Sequence, residues 1–248
     1  VTVNGGRDKI INILCQEWVL GEMKTEKEII NEVSDFVKVV VQQYDSGHGW
    51  SHIERVVRLA LYIHECERRG DRLTVELAAL LHDVGDHKFA VHDGPAEIRA
   101  LLGRLGVDGS VTGEVVSINE KISFSKGPAT GPKSDELQIV QDADRLDAMG
   151  AVGIARAFSY GGFKGRELYD PRAGFPGQPG VSSSGRNSAS TIHHFYDKLL
   201  LLRNLMNTAT GRRLADERHD FMVSFLDQFL REWDQGESLD DSHEGSQE

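Results

Sequence analysis

Apolar residues recur along most of this chain at spacings of three and four, the mark of helices with one buried face, and strict alternation is almost absent. Thr25 followed by Glu28 forms a capping box and predicts a helix through about Gln43, burying Ile29, Ile30, Val33, Phe36, Val37 and Val40. After a turn at 45–49, Ile53, Val56, Val57, Ala60 and Leu61 mark the inner face of a helix from Ser51 to about Arg69, stopped by Gly70. Residues 73–84 are apolar almost all round, which predicts a central helix. That helix runs into the polar string His82, Asp83, Asp86, His87 and Lys88.

Shorter helices are predicted over 95–105 and 113–121, and Ser134 caps another that carries Leu137, Ile139, Val140, Ala143 and Leu146. Two more run from Thr191 through Thr210 and from Leu214 to Trp233. Residues 161–190 are rich in Gly, Pro and Ser and read as a long loop, either a lid or a disordered stretch. The expectation is an all-α protein, one helical domain of about eight to ten helices over 1–233 with a disordered acidic tail at 234–248.

A chain of 248 residues buries a core without covalent staples. Cys15 and Cys66 lack any CxxC or metal-finger spacing, which predicts inert, buried thiols in a reducing compartment. No basic leader and no apolar run of about 20 residues is present, so a cytoplasmic protein with no membrane partner is expected. Acidic residues number 39 against 28 basic, a net charge of -11 that disfavours a broad nucleic-acid surface. Six of those negatives fall after Trp233, so the body of the protein is compatible with one compact site for a nucleotide.

Charged groups ending an apolar helix need partners. In AALLHDVGDHKF, His82 and Asp83 follow four apolar residues; upstream, DSGHGWSHIERV places His52 at a helix start, and downstream IVQDADRLDAMG sets Asp144 one turn after Val140. Taken alone, the His-Asp pair reads as a hydrogen-bonded core histidine beside a helix-end carboxylate. With His52 and Asp144 added, the donors suit Mn, Zn, Fe or Mg and leave positions for water and a phosphate oxygen.

The order H…HD…D with these flanks resembles the HD-domain superfamily of metal-dependent phosphohydrolases. HGxxH, LLHDVGDHKF, DADRLDAMGA and TIHHFYDKLLLLRNLMNTATGR together are similar to its bacterial subfamily that hydrolyses nucleoside triphosphates to monophosphate and pyrophosphate. The resemblance covers about residues 26–225 and implies one divalent ion, Mn or Mg with Co, Ni, Fe or Zn as alternatives, held by His52, His82, Asp83 and Asp144. It also implies proton transfer by Asp86, three residues after Asp83, if the helix continues; Asp86 as an acceptor orienting His52 or His82 is the alternative. Glu120 is a second acid or base candidate, or a solvent-facing partner of Lys121.

A triphosphate needs cations near the ion, and Arg55, Lys88, Lys121 and Arg145 are the candidates, against ordinary surface charges. His48 is a candidate phosphate contact in a glycine-flanked loop. His194 matches the family position opening the late helix, and Lys198 follows one turn on; His193 reads as a capping or packing residue. Phe195 and Tyr196 offer a homodimer face. No GxxxxGK[ST], GxGxxG or GxSxG motif is present, so kinase, dinucleotide-dependent and serine-hydrolase chemistry have no basis. Competing functions keep the same site: a 5′-nucleotidase or phosphodiesterase, or a nucleotide-sensing module without turnover.

Overall fold

The computed structural model describes residues 24–41, 49–85, 93–122, 132–173 and 190–234. Among these the protein is all-α, with nine α-helices and no strand. They are α1 (Glu26–Val41), α2 (Trp50–Glu67), α3 (Arg72–Leu81), α4 (Gly94–Arg104), α5 (Gly109–Lys121), α6 (Asp135–Asp147), α7 (Gly150–Phe163), α8 (Thr191–His194) and α9 (Ala209–Asp234). The helix α7 had no counterpart in the pattern of apolar positions. Among the described residues, no helix is long and apolar enough to cross a membrane.

Side chains that satisfy the first orphan N–H groups set most of the helix starts. Thr25 and Glu28 form the capping box. Asp71, Asp93, Asp108 and Ser134 accept from Thr74, Ala96, Ser110 and Leu137. The end of α2 departs from expectation: Arg68, at φ 53°, closes it before Gly70 by returning its N–H to His64 O. The central position of α3 follows from its sequence. Val75, Leu77, Ala78, Ala79, Leu80 and Leu81 are buried, and α3 packs against α1, α2, α5 and α6.

The stretch 191–210 is not one regular helix. It passes from α8 through a π-helical turn, Phe195–Leu199, and a 3-10 turn, Leu200–Leu205, and Met206 is extended. The cause is a buried carboxylate: Asp142 accepts from Asn207 N, Asn207 Nδ2, Thr208 N and Thr208 Oγ1, at 2.7 to 3.0 Å. Thr208 then caps α9, which starts five residues before the expected Leu214, by accepting from Gly211 N at 2.8 Å. A Cβ on Gly211 would stand 2.3 Å from Asp142 Oδ2, so the residue there must be glycine.

Two further expectations are corrected. Cys66 is exposed, because it lies on the outer side of α2, and Cys15 is outside the described residues. Phe195 offers no dimer face: it is fully buried against Phe158 and Phe225. Glycines 161 and 162 belong to the last turn of α7 rather than to the loop, while residues 174–189 and the tail from 235 lie outside the described residues.

Candidate metal centre

Helices α2, α3 and α6 meet where four side chains converge. His52 stands on the first turn of α2, His82 and Asp83 follow the last residue of α3, and Asp144 lies on α6. His52 Nε2 and His82 Nε2 are 3.3 Å apart. Asp83 Oδ2 is 3.5 Å from His52 Nε2, and Asp83 Oδ1 is 3.4 Å from His82 Nε2. From the other chain segment, Asp144 Oδ1 stands 3.6 Å from His52 Nε2 and 3.8 Å from His82 Nε2.

The hydrogen bonds behind the rings fix their orientation. Ala79 O lies 2.8 Å from His82 Nδ1, and a carbonyl only accepts, so Nδ1 donates and Nε2 is the nitrogen turned inward. Asp147 Oδ2 lies 2.7 Å from His52 Nδ1 and has the same effect on His52. Two inward Nε2 atoms at this separation, faced by carboxylates, call for a cation or a shared proton. Donor atoms about 2.1 Å from a common ion stand about 3 Å apart in neighbouring octahedral positions, so contraction by under an ångström would bring His52, His82 and Asp83 onto a divalent ion. Two imidazoles and two carboxylates are also the right chemistry for Mn, Fe, Zn or Mg.

Asp147 is fully buried and takes three partners besides His52: Arg55 Nε at 2.6 Å, Arg55 Nη2 at 3.0 Å and Arg156 Nη1 at 2.7 Å. Burial alone would raise its pKa, but the hydrogen bonds from His52 and Arg55 and the Arg156 charge outweigh it and hold the carboxyl well below the usual range. Burial likewise works to lower the His52 pKa, yet its hydrogen bonds to Asp147 and Asp83 raise it to about 9. The centre is closed behind the imidazoles and open in front. His52 and His82 side chains are 2% and 1% exposed, whereas Asp144 is 38% exposed.

The remaining sequence candidates divide. Arg55 donates to Asp147 through Nε at 2.6 Å and Nη2 at 3.0 Å. Arg145 is half-buried, donates to Leu205 O and lies 3.9 Å from Asp142, and burial lowers its pKa. Lys121 is exposed and donates back to Ser117 within α5 at 2.8 Å; Glu120 beside it is exposed. Burial first, then the nearby Lys198 and Arg166 charges, push the His194 pKa down to about 4. His193 is buried, bonded to Ser190 Oγ at 2.7 Å and stacked on Tyr169, in keeping with its expected packing role. His48, Asp86 and Lys88 lie outside the described residues. The helix α3 ends at Leu81, and residues 82–85 form a turn.

Several residues that build the site had no expected role. Asn119 Nδ2 donates to Leu81 O, His82 O and Val84 O at 2.9, 3.2 and 3.1 Å, fastening the turn that carries His82 and Asp83. Gly85, at φ +77°, packs against Gly94, where a Cβ would stand 2.4 Å from Val84 O. Asp147 follows Asp144 by three, one turn along the same face of α6, a spacing that marks it in retrospect. No local pattern marks Asn119 or Arg156.

These features define a helical protein with a candidate divalent-metal centre between three helices. Residues 49–149, which include all four converging side chains, match the HD domain family. The chain is 40% identical over 205 residues to the uncharacterized protein YpgQ of Bacillus subtilis strain 168, covering 81% of this chain and 92% of that protein. It belongs to the HD domain family. Its structure is similar to the crystal structure of Bacillus subtilis YpgQ in complex with ADP, with a TM-score of 0.67 and 38% identity over 86% of this chain and 97% of that one. It is also similar to the crystal structure of an HD-superfamily hydrolase from Bacillus thuringiensis, with a TM-score of 0.68 and 38% identity over 85% and 99% of the two chains. The fold is that of the HD-superfamily hydrolases, and HD domains bind divalent metal ions, for which His52, His82 and Asp83 are the candidate ligands.

Proposed function

We propose that this protein is a metal-dependent phosphohydrolase that splits a nucleoside or deoxynucleoside triphosphate between the α and β phosphates, giving the monophosphate and pyrophosphate. The observation that carries this reading is the convergence on His52 Nε2 and His82 Nε2, 3.3 Å apart, of Asp83 at 3.4 to 3.5 Å and of Asp144 Oδ1 at 3.6 to 3.8 Å from these nitrogens. The ADP complex of the Bacillus subtilis relative supports a nucleotide as the substrate class.

His52, His82, Asp83 and Asp144 would hold one divalent ion, Mn or Mg. When bound, it lowers the pKa of a coordinated water and draws electron density from a phosphoryl oxygen. Asp147 and Ala79 O keep both imidazoles aimed inward, so no reorientation is needed when the charged substrate arrives. The exposed Asp144 side is the approach for the triphosphate. Asp86 takes the proton of the attacking water, with Glu120 as the alternative; the water oxygen bonds to the α phosphorus as the bond to the bridging oxygen breaks, and pyrophosphate leaves with that electron pair. Arg145, Lys88, Lys121, His194 and Lys198 are the candidate contacts to the phosphates, and His48 a further one.

The test is a panel of nucleoside mono-, di- and triphosphates with Mn, Mg, Co and Ni, in which pyrophosphate and orthophosphate are measured separately. Pyrophosphate from triphosphates is expected. Orthophosphate released only from monophosphates makes the protein a 5′-nucleotidase instead. Turnover unchanged in His82→Ala and Asp83→Ala proteins makes it a nucleotide-sensing module.

A further inference from the structure

A cavity of about 370 Å³, lined in part by Asp147, lies between α2, the start of α7 and α9. Three arginines from two helices face it: Arg55 and Arg58 of α2, and Arg218 of α9. The N-terminal residues of α7, Gly150, Ala151 and Val152, form another wall.

The charges here are not cancelled from within. Asp147 is the carboxylate in the lining, and its oxygens are already shared among His52, Arg55 and Arg156. Arg58 uses only Nε, on Glu54 O at 3.3 Å, and Arg218 donates Nη1 to Leu146 O, which leaves N–H groups of both guanidinium forks directed elsewhere. Burial lowers the Arg218 pKa, with Asp147 and Glu217 acting against it, and Glu217 is itself paired with Arg213 at 2.8 Å. Glu54 is the remaining acidic neighbour, beside Arg55.

The backbone points the same way. Met149 precedes α7 without a side-chain cap, as Gly49 precedes α2, and no acidic residue occupies the first turn of α7. The positive end of the α7 dipole lies at the cavity wall formed by Gly150, Ala151 and Val152. Gly150 has φ +69°, and a Cβ there would stand 3.0 Å from Arg218 Cγ, so glycine lets the Arg218 stem lie across the helix start.

From the Arg58 and Arg218 guanidinium groups and an uncapped helix start around one cavity, we infer that the protein has a second, non-catalytic site for a phosphoryl anion of pyrophosphate size. Guanidinium forks and backbone N–H groups are the donors that suit phosphate oxygens. The volume is at the floor of the range for pockets that enclose drug-sized ligands, about 300 to 1,000 Å³, which favours a diphosphate group over a whole buried nucleotide. The anion comes either as free pyrophosphate or as the diphosphate of a nucleotide whose base stays outside.

The test uses full-length Asp83→Ala protein in chelated buffer, so that the metal centre contributes no anion affinity, with pyrophosphate, inorganic phosphate and ADP titrated separately by calorimetry. Saturable binding is expected, weakened about ten-fold or more when Arg58→Gln and Arg218→Gln are added together, since each removes charge-assisted hydrogen bonds. Pyrophosphate binding alone assigns the free anion, and arginine-dependent ADP binding assigns the nucleotide diphosphate. The absence of binding by all three, or binding indifferent to both substitutions in protein that melts like its parent, overturns the inference. Because the readout is direct binding, it stands apart from the nucleotide panel: either result can fail without the other.

Discussion

Asp147 Oδ2 and His52 Nδ1 stand 2.7 Å apart at the base of the candidate metal centre, both side chains 2% exposed. This contact decides which nitrogen of His52 faces the other donors, because an ionised carboxylate accepts and the ring must donate from Nδ1. Arg55 and Arg156 hold the carboxylate in place from the other side. Asp147 is thus the hinge between a metal-facing imidazole and an arginine-rich wall.

Asp147→Asn keeps the shape and removes the charge. The amide no longer enforces an Nδ1 donor, and Arg55 and Arg156 lose their counter-ion. Loss of such an outer partner of a ligating histidine typically costs about 10- to 100-fold in metal affinity or activity, and that range is expected here. Calorimetric titration of Mn into parent and variant checks it; equal affinities would show that Asp147 does not orient His52.

The raised His52 pKa sets a pH dependence. In the metal-free protein it lies at about 9, above the ordinary 6.5, so protonated His52 stabilises the fold fully below about pH 6.5 and loses that contribution as pH rises through about 9. Coordination requires the neutral ring, so metal uptake expels this proton, and apparent affinity rises with pH up to about 9, by roughly ten-fold per unit for one proton. Titrations in two buffers of different ionisation enthalpy at each pH count the protons released. Affinity that is flat between about pH 6 and pH 8 contradicts this role for His52.

Helix-level reading succeeded where one element's own residues decide its shape. The Thr25–Glu28 box, the Ser134 cap and the all-round apolar α3 are local facts, and each appears in the structure. The break between 191 and 210 is decided from elsewhere: Asp142, some 65 residues upstream, draws the Asn207 and Thr208 N–H groups out of any helix. The same division runs through the site. Residues within short motifs, His52, His82, Asp83 and Asp144, were visible, while Asn119 and Arg156 act across the fold and carry no local spacing signal. Arg55 was visible as a cation but not as the partner of Asp147, because charge in a sequence does not say which carboxylate it meets.

Asp142→Ala tests that long-range anchor. It removes the acceptor of four donors, two of them backbone N–H groups held at 2.7 and 2.9 Å, in a fully buried position. Unsatisfied buried donors cost about 1–3 kcal/mol each, and partial relaxation of the 206–208 segment makes roughly 3 kcal/mol the expected net loss. For a protein of this size that is a fall in Tm of roughly 10 °C, read by calorimetry. A Tm within about 2 °C of the parent would show that the segment holds its course without the carboxylate.

Two glycines on α4 separate steric necessity from helix propensity. Gly94→Ala places a methyl group 2.4 Å from Val84 O and 2.8 Å from Gly85 Cα, both rigid backbone. The turn carrying His82 and Asp83 must shift, against the three carbonyl contacts of Asn119 that fasten it. The expected cost is about 1–3 kcal/mol of stability together with weakened metal binding. Gly103→Ala, near the other end of the same helix, meets nothing within 4 Å and has an ordinary backbone, so it gains the propensity difference between alanine and glycine, up to about 1 kcal/mol. Denaturant unfolding and Mn titration of the two proteins side by side check both signs. If Gly94→Ala binds Mn as the parent does, the Gly85–Gly94 approach positions the chain without positioning the ligands.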